Sequence, residues 1–138
     1  MAYTTIDDPE KYFQPVIYTG NGSADHAITL PGDTDMQPDL VWIKNRDAAD
    51  AHCLYDSVRG VTKHIQSNDT SGQATDTDTL DAFQSDGFKV DGDNEVNTSS
   101  EDYVAWCWKE SADAGFDIIA YAGDGSAGRS LSHGLSAT

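Results

Sequence analysis

The chain has 138 residues, enough for one domain with a hydrophobic core and too few for two domains of ordinary size. It carries 24 acidic residues against 8 basic ones, and its formal net charge is -16. A field of this sign repels nucleic acid, so the composition argues against direct binding of DNA or RNA. No apolar run approaches the length of a transmembrane helix, so we expect no membrane insertion.

The first twelve residues are predicted to form an N-terminal arm. They are polar, and the run Asp7-Asp8-Pro9-Glu10 is a typical signal for a helix start or a turn. We expect one short helical turn at most, around Pro9 to Tyr12. An arm of this kind often becomes ordered only against a partner. The residues predicted to take part in assembly are therefore Asp7, Asp8, Pro9 and Tyr12.

Short apolar runs separated by Gly, Pro and Asp turns follow the arm. Val16–Thr19 and Ala27–Leu30 each predict a strand. Leu40–Ile43 is the densest apolar run in the chain, and its β-branched and aromatic residues favour a half-buried strand. Lys44-Asn45-Arg46 is then predicted to return the chain to water. Cys53–Tyr55 is typical of the strand that pairs back against this central one.

The second half of the chain alternates between loops and strands. Residues 61–67 fit either a strand or a short helix, and residues 68–78 predict a long polar loop. Ser85-Asp86-Gly87 is a tight turn between two apolar anchors. Residues 103–109 form an apolar run in which both faces of a strand would be apolar, which indicates an inner strand covered on two sides.

The spacing of these runs predicts an all-β fold. Short strands about 8 to 12 residues apart, joined by Gly and Asp turns, are typical of an antiparallel β-sandwich or jelly roll. We expect roughly seven to ten strands and little helix. The predicted organisation is an N-terminal arm (1–12), a β-sandwich module (13–114) and a C-terminal segment (115–138).

The C-terminal segment resembles the beginning of the module. Residues 116–127 repeat the pattern of residues 13–24, with an aromatic residue and then Gly-x-Gly-Ser-Ala in both copies. A duplication predicts either the start of a second repeat or an assembly strand with an unpaired edge. Such a strand would pair with its own sheet or add to a neighbouring subunit. Its predicted assembly residues are Phe116, Ile118 and Tyr121.

Six segments together resemble a family of virion structural proteins from tailed phages of aquatic bacteria. They are Met1–Pro9, Tyr18–Ser23, Pro38–Arg46, Asp56–Gly60, Ser85–Phe88 and Tyr103–Lys109. The resemblance covers nearly the whole chain. Similar proteins continue past His133-Gly134-Leu135 into another strand, whereas this sequence stops near that point, which leaves open whether it is a short member or part of a longer protein.

The resemblance implies a non-enzymatic tail-fibre or appendage module, made in the host cytoplasm and located in the virion. Its partners would be other virion structural proteins and further copies of itself, with a homotrimer the commonest arrangement in fibres. A capsid decoration protein is one alternative. Another is a carbohydrate-binding module that recognises a host-surface glycan. An enzyme acting on surface polysaccharide would need paired carboxylates in a cleft.

The cofactor prediction is none, with calcium as the alternative. Asp91-Gly92-Asp93-Asn94-Glu95 resembles a calcium loop in offering several oxygens, and its candidate ligands are Asp91, Asp93 and Glu95. The full loop spacing is absent, so an ordinary Asp/Gly turn is the competing interpretation. Cys53 and Cys107 lie in apolar runs without metal-ligand spacing, which predicts two buried free thiols.

The three tryptophans are candidates for stacking on sugars. Trp42 and Trp106 lie in apolar strands, so we expect them in the core. Trp108 stands at a strand end beside Lys109, and it is the candidate ligand-binding aromatic residue.

Overall fold

The computed structural model describes residues 6–135. In that part of the chain a 3-10 turn (Pro9–Lys11) and one short helix, α1 (Asn94–Asn97), accompany the strands. The strands are β1 (Phe13–Thr19), β2 (His26–Thr29), β3 (Leu40–Asn45), β4 (Cys53–Asp56), β5 (Lys63–Gln66), β6 (Ala74–Thr75), β7 (Leu80–Gln84), β8 (Gly87–Val90) and β9 (Asp102–Trp108). The all-β prediction is confirmed. No helix within residues 6–135 is long and apolar enough to cross a bilayer.

The strands form two antiparallel sheets that pack as a β-sandwich. The larger sheet has the order β1-β9-β3-β4-β5-β6, and the smaller has the order β2-β8-β7. Between them, Tyr18 of β1 meets Phe88 of β8 edge to face, with ring centroids 6.0 Å apart. The first strand pairs with the last along its whole length, from Phe13 opposite Trp108 to Thr19 opposite Asp102. The larger sheet is therefore complete only when β9 is in place.

Side chains alternate strictly along the central strands of the larger sheet. In β9, Tyr103, Ala105 and Cys107 are fully buried, and the residues between them are half-buried. In β3, Val41 and Ile43 are fully buried in the same way. This period of two turns one face of the sheet towards the smaller sheet. β9 is an inner strand as expected, but the prediction that a second layer covers both its faces is wrong.

A buried asparagine holds the turn that follows β1. Asn97 is 0% exposed; its Oδ1 accepts from the backbone N–H of Asn21 at 2.9 Å, and its Nδ2 donates to the Ser23 carbonyl at 2.8 Å. A Cβ on Gly20 would lie 2.1 Å from the Thr98 carbonyl oxygen, so this position accepts only glycine. The turn is a packing element that docks onto the end of α1.

The predicted tight turn between β7 and β8 is confirmed. It ends at Gly87, whose φ of +131° is strained for any residue with a side chain. A Cβ at this position would also lie 2.0 Å from the carbonyl oxygen of Ile28 on the neighbouring strand β2. Glycine is therefore required here both by the turn and by the close approach of the two strands.

Several local expectations are settled or corrected by tertiary contacts. The ambiguous residues 61–67 contain a strand, β5, and the polar loop 68–78 contains the two-residue strand β6 paired against it. Asn45 does not return the chain to water. It is 1% exposed, and its Nδ2 donates to the carboxylates of Asp50 and Glu101 at 2.6 Å each. Two charged acceptors compensate the burial of this amide.

Candidate functional site

Three side chains with metal-ligand chemistry meet at the inner face of the larger sheet. Cys53 is on β4, His64 is on the adjacent strand β5, and Glu95 is in α1. One ligand atom of each lies within 4.8 Å of the other two, and no other group of three such side chains comes this close within residues 6–135. Cys53 and His64 share a face because Tyr55, two residues after Cys53, pairs directly with His64. We call this group the Cys53–His64–Glu95 cluster.

The carboxylate of Glu95 is the hub of the cluster. The Cys53 thiol donates to Glu95 Oε2 at 3.0 Å, and His64 Nε2 lies 3.9 Å from the same oxygen. The other oxygen accepts from Gln66 Nε2 at 2.7 Å. His64 Nδ1 and the hydroxyl of Tyr55 are both buried without a hydrogen-bond partner, and the two rings lie 5.5 Å apart. The imidazole is thus only partly satisfied by the protein.

The two cysteines are buried and free, as predicted. Burial raises the pKa of the Cys53 thiol well above its ordinary value, and the hydrogen bond to Glu95 and its charge act in the same direction. Burial alone raises the pKa of Cys107 to about 12. Both thiols therefore stay protonated at neutral pH and are poor nucleophiles. Cys53 differs from Cys107 in its polar neighbours.

The candidate ligands of the calcium-like segment, Asp91, Asp93 and Glu95, point to two different places. Asp91 and Asp93 line an open depression together with Asp78. Asp91 Oδ1 accepts from the backbone N–H of Asp25 at 2.8 Å, and Asp93 caps α1 by accepting from the N–H of Glu95 at 2.7 Å. The Glu95 side chain turns away into the Cys53–His64–Glu95 cluster. The structure does not bring these three carboxylates together, and calcium binding stays a prediction.

Trp42, Trp106 and Trp108 lie on the side of the larger sheet that faces away from the smaller sheet. Each is half-buried, and the rings of Trp42 and Trp106 are 5.4 Å apart in an edge-to-face arrangement. The prediction that Trp42 and Trp106 are core residues is therefore wrong. Their strand neighbours Val41 and Cys107 occupy the inner positions, and the pleat then turns the tryptophans outward. The outer face is defined by Phe13, Ile17, Trp42, Ile65, Trp106 and Trp108.

Trp108, the candidate ligand-binding residue, has aromatic neighbours on two sides. Its ring centroid lies 5.0 Å from that of Phe13 and 6.3 Å from that of Phe116, whose ring is tilted by only 28°. A sugar that stacked on the side facing Phe116 would have to displace that ring. The Trp42–Trp106 pair has no such neighbour among the ring contacts of residues 6–135 apart from His52.

The predicted N-terminal turn is confirmed, and it is fastened to the sandwich of its own chain. Asp8 caps the turn, and its Oδ2 accepts from the hydroxyl of Thr34 at 2.8 Å, the main reason why the pKa of Asp8 is lowered. The carbonyl of Tyr12 accepts from the N–H of Lys109 at 2.9 Å. A role in assembly stays a prediction for these two residues. It also stays a prediction for the exposed candidates Asp7 and Pro9.

Residues 117–135 are irregular, so the expected strand does not pair with a sheet of its own chain, and its addition to a neighbouring subunit stays a prediction. The nearest ladder contact is an isolated bridge at Phe116. The backbone N–H of Ile118 donates to Glu110 Oε1 at 2.7 Å, and Tyr121 is 63% exposed. A strand needs a hydrogen-bonding partner, and this segment has no counterpart of β9 beside it. Residues 136–138 of the predicted segment lie outside the described residues.

The C-terminal segment nevertheless lies beside the outer face. Residues 118–121 border a depression of about 410 Å³ whose other side includes Arg59 and the outer-face residue Ile65. Phe116 stacks on Trp108, which belongs to β9 in the same sheet. The outer face and residues 116–121 therefore form one continuous surface region, which we call the assembly surface.

Sequence reasoning missed the Cys53–His64–Glu95 cluster. Its members are far apart in the sequence, and none has the short spacing that marks a metal motif. The available signal was the alternation in residues 53–55 and 63–66, which places Cys53 with Tyr55 on one side of β4 and His64 with Gln66 on one side of β5. That signal needs the β4–β5 register before it identifies a site.

The matched family carries no functional description. Residues 8–138 match the model of a family described as a domain of unknown function, DUF7483. The match spans the whole β-sandwich and the C-terminal segment, and the chain belongs to this family. No curated protein and no solved structure matches it.

Proposed function

We propose that the chain is a non-enzymatic structural module of a viral particle, a tail-fibre or appendage component that associates with copies of itself. The assembly surface is the observation that carries this proposal. Of the seven large hydrophobic residues exposed in the described part of the chain, six lie on the outer face or on the C-terminal segment. They are Phe13, Ile17, Ile65, Ile119, Tyr121 and Leu131. Concentrated exposure of this kind is typical of an interaction site.

The charge distribution supports association through this surface. A net charge of -16 makes copies of the chain repel one another, so a stable contact has to avoid acidic groups. The outward positions of β3 are Leu40, Trp42 and Lys44, and those of β5 are Lys63 and Ile65, with no acid among them. The virion context is supported by the resemblance of six segments to phage structural proteins. A capsid decoration protein would use the same surface.

The interface is tested by placing a charge in the centre of the outer face. We expect light scattering to report an oligomer, with a trimer as the first expectation, for the wild type and a monomer for Trp106→Lys. The matched control is Val58→Lys, because Val58 is 47% exposed and lies outside the assembly surface. Circular dichroism verifies that both variants are folded. A wild-type chain that is monomeric at all salt concentrations contradicts the proposal.

The location is tested on purified particles. Gold-labelled antibodies raised against this chain are expected to mark the fibres or appendages in electron micrographs. Labelling of the capsid shell would favour the decoration protein instead. Particles that carry no label and contain no peptide of this chain by mass spectrometry would exclude a virion component of either kind.

Carbohydrate recognition is the second candidate, favoured by the Trp42–Trp106 pair on the outer face. Aromatic rings offer a large apolar face to a partner, and the indole N–H of Trp42 donates to His52 Nδ1 at 3.1 Å. Binding of the isolated chain on a glycan array, lost in Trp42→Ala while the oligomeric state is unchanged, would favour this candidate over a purely structural role.

A further inference from the structure

We propose that Cys53, His64 and Glu95 bind one transition-metal ion, for which Zn²⁺ is the best chemical match. The site lies on the inner face of the larger sheet, away from the assembly surface, so it is independent of the proposed role in assembly. It shares Glu95 with the predicted calcium site, whose other candidate ligands, Asp91 and Asp93, are not part of the cluster.

The kinds of ligand atom select the metal. A thiolate sulfur, an imidazole nitrogen and a carboxylate oxygen are the three protein ligands found in zinc sites. Calcium and magnesium are bound by oxygen ligands, and a thiol and an imidazole offer them little. The mixed donor set of Cys53, His64 and Glu95 therefore favours zinc.

The distances are close to those of a tetrahedral site. Zinc bonds of about 2.0 to 2.3 Å at tetrahedral angles place neighbouring ligand atoms about 3.3 to 3.6 Å apart. In the cluster, Cys53 Sγ is 3.0 Å from Glu95 Oε2, and His64 Nε2 is 3.9 Å from the same atom. These two distances lie on either side of the ideal range, and the ligand atoms of Cys53 and His64 lie within 4.8 Å of each other. The His64 side chain would have to move towards the other two ligands to complete the geometry.

The imidazole of His64 has an open Nε2 on the side of the cluster. His64 is 5% exposed, and its buried Nδ1 has no hydrogen-bond partner. A purely structural histidine at this depth is normally satisfied at its polar atoms. Its Nε2 lies 3.9 Å from Glu95 Oε2, which is too far for a hydrogen bond. Neither ring nitrogen therefore makes a short hydrogen bond within residues 6–135. A metal ion bound at Nε2 would give that nitrogen a strong partner, and Nδ1 on the other side of the ring would stay without one.

The surroundings of the cluster also suit a metal centre. Gln66 donates to the second oxygen of Glu95 at 2.7 Å, which fixes the carboxylate in the way that outer-shell partners orient metal ligands. The side chain of Glu95 is 29% exposed, whereas that of His64 is 6% exposed, so an ion can reach the site from the Glu95 side. Three protein ligands leave the fourth position for water. A bound ion would connect β4, β5 and α1 through their side chains.

The test is a metal titration of the full, reduced chain after treatment with a chelator. We expect one Zn²⁺ per chain by elemental analysis, and a rise in Tm of roughly 5 to 10 °C at zinc concentrations about 100-fold above Kd. Co²⁺ is the spectroscopic probe. A thiolate-to-cobalt charge-transfer band is expected, because binding replaces the proton on the Cys53 sulfur with the metal.

Two pairs of variants assign the ligands. Cys53→Ser should abolish the cobalt band, whereas Cys107→Ser, which alters the other buried thiol, should retain it. Glu95→Gln keeps the side-chain volume and should weaken zinc binding by more than the roughly 10- to 100-fold loss typical of outer-shell changes. Glu110→Gln is its control. A cobalt charge-transfer band in the wild type is by itself evidence of a cysteine ligand. The proposal can therefore be tested even if one variant fails to fold.

Two results would overturn the proposal. The first is the absence of stoichiometric zinc binding to the wild type. The second is binding that persists unchanged in Cys53→Ser and Glu95→Gln, which would place the ion on surface carboxylates or on another histidine. Neither result bears on the oligomeric state of the chain, so the structural role proposed above is tested separately.

Discussion

Two regions of this chain have the same sequence pattern and different structures. Residues 13–24 form the edge strand β1 and a tight turn, whereas residues 116–127 are irregular. Tyr18 is 8% exposed and stacks on Tyr103 with ring centroids 5.1 Å apart. Its counterpart Tyr121 is 63% exposed, and its described aromatic contact is with Arg129, 5.6 Å from the ring centroid. The local pattern is therefore compatible with a strand but does not produce one.

The difference lies in what each region packs against. The first copy has β9 as a full-length partner and Asn97 to hold its turn. A Cβ on Gly20 would collide with the Thr98 carbonyl oxygen, but a Cβ on the aligned Gly123 would meet nothing within 4 Å. Close packing therefore requires glycine at position 20, whereas the aligned position 123 has open space around it. Two pairs of substitutions at aligned positions and one truncation test this comparison.

The largest difference is expected for the aligned tyrosines. Tyr18→Ala should lower the free energy of unfolding by about 4 kcal/mol, since it removes a buried aromatic ring. It also removes the hydroxyl that donates to the Val96 carbonyl at 2.8 Å. Tyr121→Ala should change it by less than about 0.5 kcal/mol. Urea denaturation followed by tryptophan fluorescence measures both. Equal losses would mean that the second copy is as well packed as the first.

The aligned glycines should differ by a smaller amount. Gly20→Ala should cost about 2 kcal/mol, because the new methyl group has to displace the backbone at Thr98. Gly123→Ala should be neutral or slightly stabilising, because the methyl group has open space and reduces the freedom of the unfolded chain. The same denaturation experiment compares the two. If Gly20→Ala leaves the free energy of unfolding unchanged, the turn can move away from α1.

The smallest effect on stability is expected when the second copy is removed. A chain that ends at Ala114 loses the Phe116–Trp108 stacking and should unfold within about 1 kcal/mol of the full chain. Its association should weaken, because Phe116, Ile118 and Tyr121 belong to the assembly surface. Light scattering over a range of salt and calcium concentrations measures this. If both chains are well-folded monomers throughout, the C-terminal segment has no part in assembly.

Local sequence patterns predicted much of the sandwich. The apolar run at Leu40–Ile43, its return strand at Cys53–Tyr55 and the turn at Gly87 are found where the pattern predicts them. Turn chemistry and strand periodicity act over a few residues, and they can therefore be recognised in a single sequence. The burial of both cysteines follows from the same apolar runs.

Tertiary structure alone decided which face of each strand points inward, which strands pair, and which residues form the candidate site. Trp42 and Trp106 lie in runs that are apolar on both faces, so only the pairing of β9 between β1 and β3 could turn them outward. The Cys53–His64–Glu95 cluster likewise depends on the β4–β5 register and on the position of α1. Such contacts join residues that are distant in the chain, and the sequence near each of them carries no record of its partner. The irregular second copy has the same cause, because a strand forms only where another strand is present to bond it.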